Sequence, residues 1–209
     1  MNFQLQKISE TLLPASDYVY QGDHRFFSDY ASKLSLVLSE TDWSSVVNLA
    51  KILLEVKRTG ARVFLCGNGG SAANATHIAN DLVYAVTEKT GQGIDAISLS
   101  ANPAILTCLA NDLHYDHIYS EQLAVSGRAG DLLIALSGSG NSTNIINALK
   151  TANELEMNTT AILGFDGGVA KALAKNPIHF EVHDMQLAED LQQIVGHMVM
   201  RWLKAEINV

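Results

Sequence analysis

Two hydroxyl-bearing glycine turns and two runs of imidazole and carboxylate side chains are the parts of this chain equipped for chemistry. The first turn is Cys66-Gly67-Asn68-Gly69-Gly70-Ser71 and the second is Ser137-Gly138-Ser139-Gly140-Asn141-Ser142. Each follows a short apolar run and precedes a helix-like run. A strand–turn–helix junction of this kind leaves backbone N–H groups free at a helix N-terminus, where they can hold a phosphate or another anion. Two such turns predict a small phosphorylated ligand. His77 and Asp81 stand four residues apart just after the first turn, and Glu189, Gln193 and His197 recur at the same interval near the end of the chain. That spacing puts each set on roughly one helix face. Imidazole and carboxylate suit zinc, with four ligands or with three and an open position; the same groups can instead do acid–base chemistry without a metal. Asp112, in the polar stretch around Asn111, is a candidate acceptor for sugar hydroxyls.

The elements that must position these groups follow from periodicity. Apolar residues recur at helical spacing through residues 26–38 and 46–54, so residues 1–60 are predicted to form N-terminal helices, interrupted near Pro14. Asp42 is the expected cap of the second helix and Gly60 its stop. Beyond residue 60 short strands, at 62–66, 96–99, 132–136, 160–164 and 179–182, alternate with helices at about 72–86, 102–110, 115–127, 142–156, 169–174 and 187–206. This alternation predicts an α/β fold with a parallel sheet covered by helices on both faces, residues 61–209 forming the ligand-binding domain. In such sheets ligands bind beyond the C-terminal ends of the strands, where both turns fall.

Composition narrows the function classes. The chain has 209 residues, a formal net charge of −8 and 47% hydrophobic residues, which fits one globular domain and argues against a broad basic surface for nucleic acid. Cys66 and Cys108 lack any CxxC spacing and are each expected to be small buried apolar residues. No apolar run is long enough to span a membrane and no signal-peptide pattern is seen, so the expected location is cytoplasmic. Trp43 and Trp202 sit in apolar helical contexts and are expected to pack.

In order along the chain, the segments at 66–82 (CGNGGSAANATHIANDL), 110–123 (ANDLHYDHIYSEQL), 127–142 (GRAGDLLIALSGSGNS), 164–168 (GFDGG) and 188–197 (AEDLQQIVGH) together resemble the sugar isomerase (SIS) family, and within it the phosphoheptose isomerases. The resemblance implies a five-stranded parallel sheet of flavodoxin-like type with an N-terminal helical extension. It also implies a homotetramer with active sites between subunits, and one zinc ion per subunit held by His77, Asp81, Glu189 and His197. Ser71, Ser137, Gly138, Ser139 and Ser142 would line the phosphate end, with Asn68, Gly69, Gly70, Asp112 and Glu189 around the sugar. The implied reaction is aldose–ketose isomerisation of sedoheptulose 7-phosphate through an enediol(ate), for heptose synthesis toward surface polysaccharide. Asp81 would be the base and His197 the acid–base group at oxygen.

The chain departs from the family pattern at Asp81, where the family has Glu, at Glu189, where it has Gln, at Gly138, where it has Thr, and at Ala85, where an Arg often stands. These changes keep three alternatives in view: an isomerase for another sugar phosphate, a non-enzymatic tetramer that binds the replication initiator, and a sugar-phosphate-sensing regulator.

Overall fold

The computed structural model describes residues 24–84 and 93–207. The expectations at Pro14 and Ala85, and the end of the helix expected to reach residue 86, lie outside them. The chain divides into two compact units, Met1–Asp42 and Trp43–Val209. The first contributes helix α1 (His24–Glu40), which has no buried residue.

The second unit runs α2 (Ser44–Thr59), β1 (Val63–Gly67), α3 (Gly70–Val83), β2 (Ala96–Ser98), α4 (Pro103–Asp112), a 3₁₀ turn (Tyr115–His117), α5 (Ser120–Ser126), β3 (Leu132–Ser137), α6 (Thr143–Glu154), β4 (Asn158–Leu163), α7 (Gly168–Leu173), β5 (Asn176–His179) and α8 (Met185–Ile207). All strand pairs are parallel and the order is β2-β1-β3-β4-β5. This is the expected flavodoxin-like order, and its switch point lies between β1 and β3. Every residue of β1 and β3 is buried, because helices cover both faces. On one face Phe64, Cys66, Leu133 and Ala135 meet Ile145, Ala148, Leu149 and Ala152, the apolar stripe of α6.

Local differences from the sequence expectation have local causes. The cap of α2 is Trp43, not Asp42, and it makes no side-chain cap bond; Gly60 ends the helix as expected, at φ 72°. The helix expected at 115–127 is split, because His114 accepts a bond from the Asp116 N–H and nucleates a separate 3₁₀ turn. Strand β5 begins and ends three residues earlier than expected. Ile178, Phe180 and Val182 are buried in alternation, but only residues up to His179 pair with β4, and Pro177 is tolerated because β5 is an edge strand. Helix α8 begins at Met185, where the Asp184 carboxylate accepts the N–H groups of Gln186 and Leu187.

Cys66 is buried, and burial pushes its thiol up to about 12. Cys108, expected to be buried, is exposed on α4 and donates to the Asp112 carboxylate at 3.4 Å, which raises its thiol as well. Trp43 and Trp202 line an apolar groove with Val46, Val47, Ala50, Met198 and Val199. Among the described residues no helix is long and apolar enough to cross a membrane.

Candidate active site at the C-terminal ends of β1 and β3

Both glycine turns lie where the sequence puts them, after β1 and after β3, and a reciprocal amide pair ties them together. Asn68 Nδ2 donates to Asn144 Oδ1 and Asn144 Nδ2 donates to Asn68 Oδ1, each at 2.9 Å. Asn144 sits in the first turn of α6 and is 2% exposed; its Oδ1 also accepts the Ile145 N–H, which fixes the orientation of the pair. Tyr115 OH donates to Asn68 Oδ1 at 3.0 Å, and Tyr119 OH donates to the Gly67 carbonyl. The Asn68 side chain is thus largely consumed by the protein. Asn144, Tyr115 and Tyr119 were not singled out from the sequence, and nothing local marks them.

The second turn is held by its own hydroxyls and by the loop after β4. Ser137 Oγ accepts the Gly140 N–H at 3.0 Å, and Ser139 Oγ accepts the Asn141 N–H at 3.2 Å. Asn141 Oδ1 accepts the Val169 N–H, and the Gly140 carbonyl accepts the Ala170 N–H. Ser142 is the N-cap residue of α6 but makes no cap bond. A Cβ at Gly138 would lie 2.5 Å from Met185 Sδ, so a thioether from α8 lies against this turn. Ser71 is buried in the first turn of α3. Gly69, just ahead of it, adopts φ 55° with ψ −123°, a conformation that suits glycine. Asp112 lies at the end of α4 with its carboxylate engaged by Asn111 and Cys108.

Past the first turn, α3 and α8 pack side by side. Asn74 Nδ2 donates to the Glu189 carbonyl and to Gln192 Oε1. Further along, a Cβ on Gly196 would lie 2.6 Å from Ile78 Cγ1. This contact brings the neighbours of those two residues together: His77 Nε2 and His197 Nε2 are 3.1 Å apart, and Asp81 Oδ2 is 3.5 Å from the first and 3.8 Å from the second. The Asp81 carboxylate is 16% exposed, the imidazoles about half. Bonds of about 2.0–2.1 Å at tetrahedral angles give ligand–ligand edges of about 3.3 Å. The three separations lie within about 0.5 Å of one face of such a tetrahedron, and the donor set of two imidazoles and a carboxylate suits a divalent metal.

Glu189 does not join the three. Eight residues along a helix is about 12 Å of rise and about 80° of rotation. Its carboxylate lies against Gly70 at the head of α3, where a Cβ would be 2.2 Å from Oε2. Gln193, one turn from His197, has its Nε2 2.9 Å from His197 Nε2, while its Oε1 is buried without a partner. A surface recess lined by Ala72, Ala73, Thr76, His77, Asn80 and Ser100 adjoins the cluster.

The family model described as SIS domain matches residues 26–164. The chain belongs to the SIS-domain family. Among its SIS relatives, the phosphoheptose isomerase of Chlorobaculum parvum is 41% identical over 143 residues, covering 68% of each chain. The phosphoheptose isomerase of Clostridium acetobutylicum is 35% identical over 164 residues, covering 78% of this chain and 82% of the relative. The solved structure of the phosphoheptose isomerase from Neisseria gonorrhoeae superposes with a TM-score of 0.80 at 27% identity, over 87% of this chain and 98% of that one. The sheet order of this SIS chain is the flavodoxin-like one expected from its sequence.

Proposed function

We propose that this chain is an aldose–ketose isomerase that converts sedoheptulose 7-phosphate to D-glycero-D-manno-heptose 7-phosphate, in the cytoplasm and for heptose synthesis. The observation that carries the reading is the convergence of His77, Asp81 and His197 beside two phosphate-type turns, in a chain 41% identical to a phosphoheptose isomerase. In this reading Ser137, Ser139 and Ser142, with the free N–H groups at the head of α6, bind the phosphate. Ser71 joins them at the phosphate end, the rest of the first turn, with Glu189 over Gly70, faces the sugar, and Asp112 accepts a sugar hydroxyl. The phosphate holds the distal end and so orients the reacting end.

His77, Asp81 and His197 would hold a zinc ion, which when bound supplies Lewis-acid stabilisation of negative charge on oxygen. The protein's own groups move the protons. Asp81 takes the proton from the hydroxymethyl carbon beside the ketone, and the C–H electron pair becomes the C=C bond of the enediol. His197 shifts the proton between the two oxygens. Returning the carbon-bound proton to the neighbouring carbon gives the aldose, so atoms and charge balance. Asp81 has one methylene less than the family's glutamate, and its carboxylate lies 3.5 and 3.8 Å from the two imidazole nitrogens, which supports its use at the same site.

Absence of a buried residue on α1, with Phe26 and Phe27 exposed, supports a homotetramer that covers this helix, with sites between subunits. Isomerisation of a different sugar phosphate is the second reading, favoured by Met185 against Gly138 in the serine turn. The deciding experiment follows sedoheptulose 7-phosphate with metal-stripped and zinc-loaded protein beside Asp81→Asn. Zinc-dependent turnover, reduced at least 100-fold by the substitution, is the expected result. Absence of turnover by zinc-loaded wild type on this sugar, with turnover of another sugar phosphate, would replace the first reading by the second.

A further inference from the structure

From the hydrogen bonds that join the two glycine turns, we infer that Tyr115 is a specificity residue for the sugar, its phenol oxygen accepting a hydroxyl of the sugar chain. The backbone fixes the direction of each proton. Asn144 Oδ1 accepts the Ile145 N–H at 2.9 Å, so the nitrogen of that amide is the group that meets Asn68 Oδ1. An amide oxygen accepts and cannot donate. The Tyr115 hydroxyl, 3.0 Å from Asn68 Oδ1, therefore gives up its one proton there. Asn144 and Tyr115 together fill the two lone pairs of Asn68 Oδ1. Tyr119 spends its own hydroxyl proton on the Gly67 carbonyl. Tyr115 is left with lone pairs on the phenol oxygen, and among the described residues nothing donates to them.

Place and exposure decide what can use that oxygen. The Asn68–Asn144 pair joins the turns after β1 and β3, at the switch point of the sheet, and ligands of open parallel sheets enter the crevice there. Tyr115 meets the pair from its open side: Tyr115 is 51% exposed, Asn144 only 2%. The ring comes from the 3₁₀ turn, which α6 pins where Asn147 Nδ2 donates to the Asp116 carbonyl at 3.0 Å. An oxygen with no proton to give repels a phosphate oxygen and suits an O–H donor. The N–H groups at the head of α6 have the opposite preference. The two ends of the crevice thus differ in chemistry, and Tyr115 belongs to the sugar end. The assignment rests on the sugar-phosphate reading and deepens it, because it names a group that recognises the polyhydroxyl part of the ligand.

The test compares Tyr115→Phe with wild type by calorimetric binding to the full zinc-loaded chain. The probes are sedoheptulose 7-phosphate, fructose 6-phosphate and inorganic phosphate. Phenylalanine keeps the ring at an exposed position, so the fold is retained, and the melting temperature checks it. Losing one neutral hydrogen bond is expected to weaken the sugar phosphate that binds wild type about 3- to 10-fold. Inorganic phosphate is expected to bind within about 2-fold of wild type, because Asn68 keeps both of its bonds to Asn144. Phosphate affinity is the readout that a merely structural role of Tyr115 would move as well.

Equal weakening of sugar phosphate and inorganic phosphate in Tyr115→Phe overturns the assignment, since Tyr115 then only holds the first turn. Wild type that binds inorganic phosphate as tightly as either sugar phosphate overturns it too, because the sugar then adds nothing. Unchanged sugar-phosphate affinity in Tyr115→Phe, in a protein that isomerises sedoheptulose 7-phosphate, overturns this inference and leaves the isomerase reading standing. Selective weakening of fructose 6-phosphate in Tyr115→Phe, in a protein that neither binds nor isomerises sedoheptulose 7-phosphate, does the reverse.

Discussion

Replacing Gly196 by alanine tests how closely α3 and α8 must approach for the site to exist. A methyl group there would lie 2.6 Å from Ile78 Cγ1 and 2.9 Å from Cδ1. Ordinary contact begins at 3.4 Å, so the helices must part locally by about 0.8 Å, or Ile78 must change rotamer against the core it fills. Two energies oppose each other. Overpacking costs about 1–3 kcal/mol, and exchanging a mid-helix glycine for alanine returns about 0.5–1 kcal/mol. The net cost is therefore about 0–2.5 kcal/mol, and the protein should still fold. The site has no such compensation. His77 and His197 flank the two contact residues and meet at 3.1 Å, and a displacement near 1 Å can cost on the order of 100-fold in rate. Gly196→Ala is expected to lower kcat/KM of the zinc-loaded protein about 10- to 100-fold and to weaken zinc binding, with a melting shift of only a few degrees. Adding Ile78→Ala clears the atoms in conflict and should recover most of the zinc affinity while lowering the melting temperature further. Wild-type zinc affinity and kcat/KM in Gly196→Ala would refute the reasoning.

Other consequences are separable. Asn144→Ala removes the strut between the two turns and leaves the Asn68 amide without its principal partner. It is expected to raise both KM for the sugar phosphate and the dissociation constant of inorganic phosphate about 10-fold. Asn153→Ala, which breaks bonds to Leu173 and Thr159, should lower the melting temperature but leave KM alone; equal KM changes in the two variants would reduce Asn144 to a purely structural role. Alkylation of the native protein should label exposed Cys108 and spare buried Cys66, followed by peptide mass analysis. Asp112 raises the Cys108 thiol by hydrogen bond and charge. Below that thiol's pKa the rate follows the thiolate fraction, so Asp112→Asn should speed labelling at pH 8, and an unchanged rate would count against the contact.

Much of the architecture could be read from local pattern because local pattern is what produces it. Alternating buried strands and helices imply a parallel sheet, and a strand followed by Gly-rich residues and a helix implies a turn at the ligand-binding edge. The pairing of His77 with Asp81 was equally legible, since helical periodicity fixes their relative angle within one element. The errors came where local pattern continues past a change in partner. Burial alternates through Phe180 and Val182, yet the ladder with β4 stops at His179. Cys108 has apolar neighbours in sequence, yet it sits on the outer side of α4.

Sequence alone determined the fold class, the two turns and the chemical types gathered for the site. Tertiary structure decided which of those groups meet. His77 and His197 are 120 residues apart, and the packing of α3 on α8, with Gly196 against Ile78 and Asn74 bonded to Glu189 and Gln192, sets the distance between them. Asn68 and Asn144 pair because β1 and β3 are neighbours in the sheet. Glu189, Gln193 and His197 form a regular series in the sequence, but a helix turns about 100° per residue. A four-residue series therefore drifts around the axis, and the neighbouring helix reaches His197 with Gln193 beside it and leaves Glu189 at the other turn.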